Sequence, residues 1–286
     1  MQEDFETIAN RCAELTRARV GPDEETPARA LAPIVQLPLW RDPDRAAPSA
    51  VLRSALFSVA RQRRYMNDEE IVSWAGSTIR YKGESLDQRD EDVWMQLVHL
   101  HRLQNLADGQ GVRFTSRGFL RALGRDTGGR AIRHLYDSLL RMTACAVVIE
   151  TPEARYFAPL IVGVGEWRDA DGSYCLKLNP KLAKLFDVGW TRLEFETHRR
   201  LTTDIARWLH GYVCTQKATA EAPHRIGVER LRALCGSDDQ SLKSFRQKVK
   251  RAMTQLGVAG VVLHWRITDG DALEFSRPPR ALPAPR

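Results

Sequence analysis

Apolar residues recur at spacings of three and four in two long C-terminal segments, Leu201–Val213 and Gln240–Leu256. Such a stripe predicts amphipathic helices that each lay one face on a core. Between them, the apolar positions of Val228–Leu234 predict a short helix that stops at Gly236, because glycine is favoured just past a helix end. The pattern therefore predicts three helices, the last two joined by a tight turn.

The starts of the long helices are predicted from side chains that can accept hydrogen bonds from the first backbone N–H groups. Thr202 or Thr203 stands before the first stripe. Ser237 followed three residues later by Gln240 has the spacing of a capping box. The third helix is therefore expected to begin just after Ser237.

After Gly257 the apolar spacing changes to two, the period of a strand with one buried face. Val261–Thr268 is predicted as a strand and Leu273–Phe275 as its partner, because Thr268–Asp271 has the residues of a tight turn. Three helices followed by a hairpin is the order of a winged helix, in which the third helix enters the major groove of DNA.

The polar face of the third predicted helix is suited to DNA. No Asp or Glu occurs between Gln240 and Leu256, and amides and hydroxyls at the centre of the face are flanked by cations. Amides and hydroxyls can contact base edges, whereas cations hold phosphates. A solvated basic face is the plain alternative for a single helix, and the winged-helix order favours DNA contact. The predicted DNA-binding residues are Gln240, Lys243, Ser244, Arg246, Gln247, Lys248, Lys250, Arg251 and, on the wing, Arg266.

The same plan is predicted to occur twice in the chain. Leu120–Leu123 is identical to Leu231–Leu234. At the same offset, Asp90–Arg102 corresponds to the first C-terminal helix and Arg130–Met142 to the third. Ala146–Ile149 is expected to begin a strand where the wing begins. Internal repetition therefore predicts two winged helices in tandem.

The predicted fold class is α+β, with two tandem winged-helix domains and a largely flexible N-terminal segment. Residues 1–48 form that segment, with an amphipathic helix over Glu3–Ala18 and a linker over Val20–Pro48 that is expected to lack a packed core. Residues 49–194 form the first winged-helix domain, and residues 195–286 form the second, sequence-specific one.

Charge supports this division. Residues 197–286 contain 16 Lys and Arg against 8 Asp and Glu, whereas the whole chain has a net charge of +7. A basic domain beside a near-neutral one implies a polyanionic partner for the basic part. The third helix of the first domain contains Asp137, so phosphate contact or dimerisation is expected there.

The sequence gives little indication of a metal, nucleotide or catalytic site. His99 and His101 lie two apart on a predicted helix and point in different directions, which disfavours a metal site. Asp87 and Asp90–Asp92 open that helix, where carboxylates favour its positive end. There is no GxxxxGK[ST] motif, and we recognise no nucleophile with a neighbouring base. No catalytic residue, metal or cofactor is therefore predicted.

The cysteines are odd in number and widely spaced, so reduced thiols in a cytoplasmic protein are expected. No apolar stretch reaches membrane length, and the acidic opening Met1–Asp4 is unlike a signal peptide. The cysteines are Cys12, Cys145, Cys175, Cys214 and Cys235.

The chain resembles the TrfA-type replication initiators of broad-host-range plasmids, within the class of iteron-binding initiators. The resemblance runs from about Gln36 to the end of the wing and rests on Arg53–Phe57, Asp90–Trp94 and Leu234–Asp238. It implies two winged helices, binding of repeated sequences (iterons) at a plasmid origin, and origin opening with the host initiator. It also implies recruitment of the replicative helicase and a homodimer in equilibrium with an active monomer, the basis of copy control.

A lone apolar pentapeptide, Gln36-Leu37-Pro38-Leu39-Trp40, stands in the predicted linker. From its residues alone, a docking peptide and a segment that folds back on the first domain remain equally open. The family resemblance implies docking on the polymerase sliding clamp, since the segment looks like a QLSLF-type peptide with Pro and Trp in place of Ser and Phe. The predicted docking residues are Gln36, Leu37, Leu39 and Trp40.

The function predicted from the sequence is therefore non-enzymatic initiation of plasmid replication at origin repeats. A winged-helix transcriptional repressor is the first alternative. A nicking nuclease or relaxase is the second, for which Tyr65, Tyr81 and Tyr136 supply candidate nucleophiles.

Overall fold

The computed structural model describes Leu37 and residues 41–279, except 74–77, 105, 107–110, 151, 153–154, 168–172 and 181. Two hydrophobic cores lie in this part of the chain. One is formed by buried residues between Ala46 and Phe195, and the other by buried residues between Leu201 and Phe275. We call the parts that pack on them the N-terminal half and the C-terminal half.

The C-terminal half begins with a helix and ends with a hairpin. Its strands form a three-stranded antiparallel sheet in the order β12-β14-β13, with Ile226 opposite Leu273 and Trp265 opposite Phe275. The predicted helices and hairpin are confirmed. The elements are α7 (Asp204–Cys214), β12 (His224–Gly227), α8 (Val228–Leu234), α9 (Leu242–Val258), β13 (His264–Ile267) and β14 (Ala272–Ser276).

The N-terminal half is larger and contains the sheets β6-β10-β9 and β3-β4-β7-β8. Its helices are α1 (Ser49–Leu52), α2 (Gln88–Leu103), α3 (Ser116–Ala122), α4 (Gly129–Thr143), α5 (Leu182–Val188) and α6 (Phe195–Arg200). Its strands are β1 (Asp44–Pro48), β2 (Phe57–Ser58), β3 (Tyr65–Ile71), β4 (Thr78–Glu84), β5 (Leu86–Asp87), β6 (Val112–Thr115), β7 (Ala146–Glu150), β8 (Arg155–Ala158), β9 (Ile161–Trp167), β10 (Ser173–Leu178) and β11 (Trp190–Glu194).

The two halves repeat one order of elements. In the N-terminal half, α2, β6, α3, α4 and the β9–β10 hairpin follow each other as α7, β12, α8, α9 and the β13–β14 hairpin do. In each half the last strand of the hairpin lies between the other two strands of the sheet. The internal repetition that the sequence predicts is therefore present in the order and pairing of the elements.

One part of the repeat prediction is wrong. Ala146–Ile149 does form a strand, but this strand, β7, pairs with β4 and β8 rather than forming the hairpin of the repeat. The β7–β8 pair is inserted between α4 and the β9–β10 hairpin. Alternating burial of Val147 and Ile149 marks a strand but does not specify its partner, which is set by tertiary structure.

The end of the predicted linker is also corrected. Asp44–Pro48 is a fully buried strand, β1, which pairs antiparallel with β11. Ala46 and Ala47 are small enough to lie beneath α2, and Arg45 is satisfied because its Nε donates to Gln96 (2.8 Å) while its guanidinium stacks over Phe195. A Pro- and charge-rich composition therefore did not exclude a packed strand here. The helix predicted over Glu3–Ala18 lies outside the described residues.

The N-terminal cap of α7 is predicted correctly, whereas the cap predicted for α9 is wrong. Thr203 caps α7 by accepting a hydrogen bond from Ala206 N (3.3 Å), as expected. The cap of α9 is Ser241, which accepts from Ser244 N (3.4 Å), and not Ser237. Ser237 is diverted because its hydroxyl donates to Asp239 (3.1 Å). The helix therefore begins four residues later than the capping-box spacing predicts.

The halves are joined by direct hydrogen bonds. Val59 N donates to Cys235 O (2.9 Å), and Trp208 Nε1 donates to Ser54 O (3.0 Å). Gly236 lies at this junction with φ +63°, and a Cβ there would come within 2.8 Å of the side chain of Ser58. Glycine is therefore required both for the helix end and for the close approach of the halves.

Candidate nucleic-acid interface

Helix α9 is held by one apolar face. Phe245, Val249, Ala252, Met253 and Leu256 are essentially inaccessible to solvent and contact the core of the C-terminal half. Their spacing fixes the rotation of the helix, because residues three and four apart share one face. The opposite face is consequently presented to solvent, as the sequence predicts.

The predicted base-contacting residues share this exposed surface. Lys243, Ser244 and Gln247 lie on the first two turns of α9 with exposed side chains. Gln240 is exposed too, but it lies in the loop before the helix, where its Nε2 donates to Asp238 O (3.4 Å). Lys250 and Arg251 extend the exposed basic surface by one turn.

Three of the predicted DNA-binding cations are held by carboxylates of the same half. Arg246 makes a bidentate pair with Asp271 (2.7 and 3.0 Å), and Arg266 pairs with Glu274 (2.7 Å). Lys248 donates to both oxygens of Asp239 (2.5 and 2.6 Å). Within the described part of the chain, Lys243, Lys250 and Arg251 make no such ion pair.

The Arg246–Asp271 pair joins α9 to the turn of the hairpin. Asp271 has φ +53°, a strained conformation for a residue with a side chain, and its carboxylate receives both hydrogen bonds. The hydrogen bond from Arg246 lowers the pKa of Asp271. The pair therefore fixes the position of the hairpin tip relative to the helix.

Asp239 and Asp271 were not predicted from the sequence as partners of these cations. Neither lies on α9, so no helical spacing connects them to Lys248 or Arg246. A basic helix with no acidic residue of its own still has two of its cations paired from neighbouring loops.

A buried polar chain crosses the junction of the halves near α9. Asp92 on α2 accepts a hydrogen bond from Arg125 Nη2 (2.6 Å) and lies 3.0 Å from His198 Nε2. His198 Nδ1 in turn lies 3.1 Å from His210 Nδ1 on α7. Burial alone pushes the pKa of Asp92 upward, but the hydrogen bond and charge of His198, with the charge of Arg125, lower it overall. Asp92 therefore anchors α6 to α2 within the N-terminal half, and His198 extends the contact to α7 of the C-terminal half.

The acidic start of α2 acts as a helix cap, as predicted, and also as a set of buried anchors. Asp87 caps the helix and forms a capping box with Asp90. Asp90 is fully buried and accepts two hydrogen bonds from Arg141 (2.8 and 3.2 Å) and one from Arg63 (3.3 Å). The carboxylates thus tie α2 to α4, the third helix of the N-terminal half.

The candidate nucleophiles of the nicking alternative lie apart. Tyr81 is buried in β4, where its hydroxyl donates to Glu84 O (2.7 Å) and burial raises its pKa well above the usual range. Tyr65 on β3 and Tyr136 on α4 are largely exposed. The described residues include no group of three or more His, Cys, Asp and Glu placed to hold a metal.

Of the predicted docking peptide, only Leu37 falls within the described residues. It is partly buried and packs against the core of the N-terminal half. Gln36, Leu39 and Trp40 lie outside the described residues, and docking on a sliding clamp stays a prediction. None of the helices that the structure describes has the length and apolar character needed to cross a bilayer.

Comparisons with known proteins find similarity in both sequence and fold. The chain is 24% identical over 241 residues to the plasmid replication initiator protein TrfA of Escherichia coli, covering 80% of this chain and 61% of that protein. Domains 2 and 3 of RctB share its fold with a TM-score of 0.54 at 11% identity, over 80% of this chain and 96% of that one. The Pi initiator protein in complex with iteron DNA matches at a TM-score of 0.48 and 10% identity, over 67% of this chain and 92% of that one.

The family match covers the described fold almost from end to end. The sequence model of the family described as TrfA protein matches residues 30–274. This span includes the N-terminal half, α9 and the hairpin up to Glu274 in its last strand. The chain belongs to the TrfA family.

Proposed function

We propose that the chain is a plasmid replication initiator that binds directly repeated sequences at an origin, helps to open it and recruits host replication proteins. The observation that carries the proposal is the exposed surface of α9, which has amides and hydroxyls at its centre, cations at its edges and no carboxylate of its own. Membership of the TrfA family supports it. The chain acts in the cytoplasm, binds without a cofactor and carries out no catalysis itself.

Each half is proposed to be a winged helix, with residues 49–194 as the first domain and 195–286 as the second. The shared order of helices and the middle position of the last hairpin strand support this assignment. Helix α9 then enters the major groove with its N-terminal turns, as the second helix of a helix-turn-helix does. Because β1 pairs with β11, the first domain includes Asp44–Pro48 as well, and because Phe195 lies in the core of the N-terminal half it extends into α6.

The first domain is proposed to support self-association. Tyr136 and Leu140 lie one turn apart on α4 with about half of each side chain exposed, and Val162 and Val164 are exposed on β9, which packs against α4. Strand β9 is an edge of its sheet, so its outer backbone groups remain available for pairing. A homodimer formed here would be in equilibrium with the monomer that binds origin repeats.

The first prediction concerns the residues of α9 that are proposed to contact base edges. Gln247→Ala or Lys243→Ala is expected to cost roughly 1–3 kcal/mol of binding free energy on the cognate repeat and far less on random DNA, because base contacts carry the sequence preference. Gel-shift titrations of each variant on both DNAs measure the two costs. Equal losses on both DNAs would remove these residues from the base-contacting set.

Lys250 and Lys248 provide a matched pair for phosphate contact. Lys250→Ala is expected to weaken cognate and random DNA alike and to lower the salt slope of binding by about 0.9, the value of one phosphate contact. Lys248→Ala changes the same charge on the same helix, but the ammonium of Lys248 is held by Asp239. A smaller slope change is therefore expected for Lys248, and the reverse order would contradict this assignment.

Docking of Gln36–Trp40 on a polymerase sliding clamp is a further part of the proposal. A Leu39→Ala, Trp40→Ala double variant is expected to lose clamp binding, since short peptides concentrate affinity in a few buried anchors. Pull-down on purified clamp, with repeat binding as the control, tests this. Undiminished clamp binding, or a melting temperature lowered by many degrees, would favour packing on the first domain, as Leu37 itself does.

A further inference from the structure

A cleft of about 690 Å³ lies between the two halves. Helix α4 borders it with Ala131 and His134, and α9 borders it with Lys248 and Arg251. The third helix of each half of the repeat therefore contributes to the same cleft. Any duplex that contacts both helices must pass across its opening.

The lining of the cleft is strongly basic. Its two carboxylates are already engaged, since Asp204 pairs with Arg207 (3.1 Å) and Asp239 pairs with Lys248 (2.6 Å). Cations are three times as numerous as carboxylates, so the cleft attracts anions. The cationic lining residues are Arg61, Arg89, Arg125, Arg207, Lys248 and Arg251.

These cations are of two kinds. Arg125 is fixed, because Asp92 holds its guanidinium at 2.6 Å while Asp92 itself is held by His198. Arg61 and Arg89 are exposed, and neither makes an ion pair with a carboxylate in the part of the chain that the structure describes. Their guanidinium groups are free to bind an anion without giving up a partner.

The position of Arg89 has no structural explanation in its own helix. It lies in the first turn of α2, where a cation faces the positive end of the helix dipole. It neither caps the helix nor pairs with Asp90, which bonds to Arg63 and Arg141, nor with Asp92, which bonds to Arg125. A ligand anion would satisfy this side chain.

We propose that the cleft binds backbone phosphates of the duplex that α4 and α9 both border, with Arg61 and Arg89 as the phosphate contacts. The proposal rests on the proposed function as a DNA-binding initiator. Duplex DNA carries closely spaced phosphates along its whole length, and guanidinium groups bind them bidentately. A concave basic site beside α9, with α4 as its opposite wall, focuses the field on the stretch of backbone that crosses it. Contacts of this kind position the protein and carry no sequence preference.

The first experiment compares an Arg61→Ala, Arg89→Ala double variant with a Lys82→Ala, Lys217→Ala control. Lys82 and Lys217 are exposed, make no ion pair within the described residues and do not line the cleft. The cleft variant is expected to bind cognate and random DNA about tenfold more weakly at moderate salt and to lower the salt slope by about 1.8, the value of two phosphate contacts. The control removes the same charge and is expected to change the slope much less.

The second experiment neutralises single phosphates of the cognate repeat as methylphosphonates. At least one phosphate is expected to matter for the wild-type chain and not for the cleft variant, and it should differ from those sensitive to Lys250→Ala. Equal slopes for the cleft variant and its control, or no such phosphate, would overturn the cleft inference while leaving repeat binding intact. If the wild-type chain itself bound the repeat no more tightly than random DNA, the proposed function would be rejected instead.

A free anion is the competing occupant of the cleft. Adenosine triphosphate is the probe, and duplex DNA is expected to displace whatever adenosine triphosphate the wild-type chain binds, while the cleft variant binds both more weakly. If the wild-type chain bound it and the cleft variant did not, with DNA affinity equal in both, the cleft would be a nucleotide site and the inference would be overturned.

Discussion

Replacement of Asp92 by alanine is expected to lower the free energy of unfolding by about 3–5 kcal/mol, because it leaves the buried His198 and the partly buried Arg125 without the carboxylate to which both bond. The Asp92 side chain is 11% exposed and His198 is 1% exposed. Removal of the carboxylate leaves His198 Nε2 without this contact and takes from the Arg125 guanidinium its hydrogen bond of 2.6 Å. Asp92 holds His198 in place, and His198 in turn contacts His210 on α7, so the loss also loosens the junction of the halves.

Denaturant unfolding of the variant and the wild-type chain measures this cost. Asp42→Ala is the matched control, because Asp42 also pairs with an arginine (Arg102, 2.6 Å) but is 77% exposed. Its effect is expected to be much smaller, since exposed ion pairs are screened by solvent. Asp92→Asn keeps the shape of the side chain and one hydrogen bond, so its cost in unfolding free energy should lie between those of Asp92→Ala and Asp42→Ala. An Asp92→Ala cost no larger than that of the control would show that the buried chain does not stabilise the junction.

Glu91→Gln is expected to stabilise the protein, on the order of 3–4 kcal/mol at pH 7.5, and to have little effect near pH 4.5. Burial, reinforced by the neighbouring charge of Asp92 and only partly offset by Gln88, raises the pKa of Glu91 to about 8. The ordinary value is 4.5. One carboxyl oxygen of Glu91 has no hydrogen-bond partner in the described part of the chain, so the contact with Gln88 offsets only part of the cost of burying the charged form.

The sign of the pH dependence follows from the raised pKa. Below about pH 4.5 the carboxyl is protonated in both the folded and the unfolded state, and its contribution to stability is fully present. Between pH 4.5 and 8 the unfolded chain releases the proton while the folded chain retains it, so stability falls as pH rises. Glutamine does not titrate and removes that fall.

Unfolding free energies of Glu91→Gln and the wild-type chain across pH 4.5–8 test this, with Glu70→Gln as control because Glu70 is exposed on β3. The Glu91→Gln curve should diverge steadily from the wild-type curve as pH rises, whereas the Glu70→Gln curve should run parallel to it. Parallel curves for all three proteins would mean that Glu91 is ionised in the folded state.

The helices could be predicted because their information is local. A stripe of apolar residues at helical spacing located α7 and α9, and the same spacing correctly placed Gln247 and Lys243 on the exposed face of α9. Burial of one face fixes the direction of the other, so no tertiary knowledge was needed.

Sheet partners could not be predicted in the same way. The strand at Ala146–Glu150 was expected in the wing, yet it pairs with β4, more than sixty residues earlier in the chain. Asp44–Pro48 was assigned to a linker, yet it pairs with β11 across nearly 150 residues. A strand's own residues fix which face is buried, whereas the choice of partner is made by the rest of the fold.

The site was predictable in its residue types but not in its ion pairs. Spacing alone assigns Lys248 and Lys250 the same role, whereas Asp239 in the preceding loop distinguishes them. The cleft could not be predicted from the sequence because Arg61 and Arg89 come from a loop and a helix start of the N-terminal half, whereas α9 belongs to the C-terminal half. Such groupings appear only once the halves are packed together.

The most direct test of the central claim is a hydroxyl-radical footprint of the full chain on DNA from the replicon that encodes it, with Gln247→Ala beside the wild-type chain. We expect the wild-type chain to protect several directly repeated sites in the origin. With Gln247→Ala, protection of each repeat should be lost at protein concentrations where random DNA is still bound. Protection confined to one palindrome at a promoter, or repeat protection that Gln247→Ala leaves unchanged, would contradict the central claim.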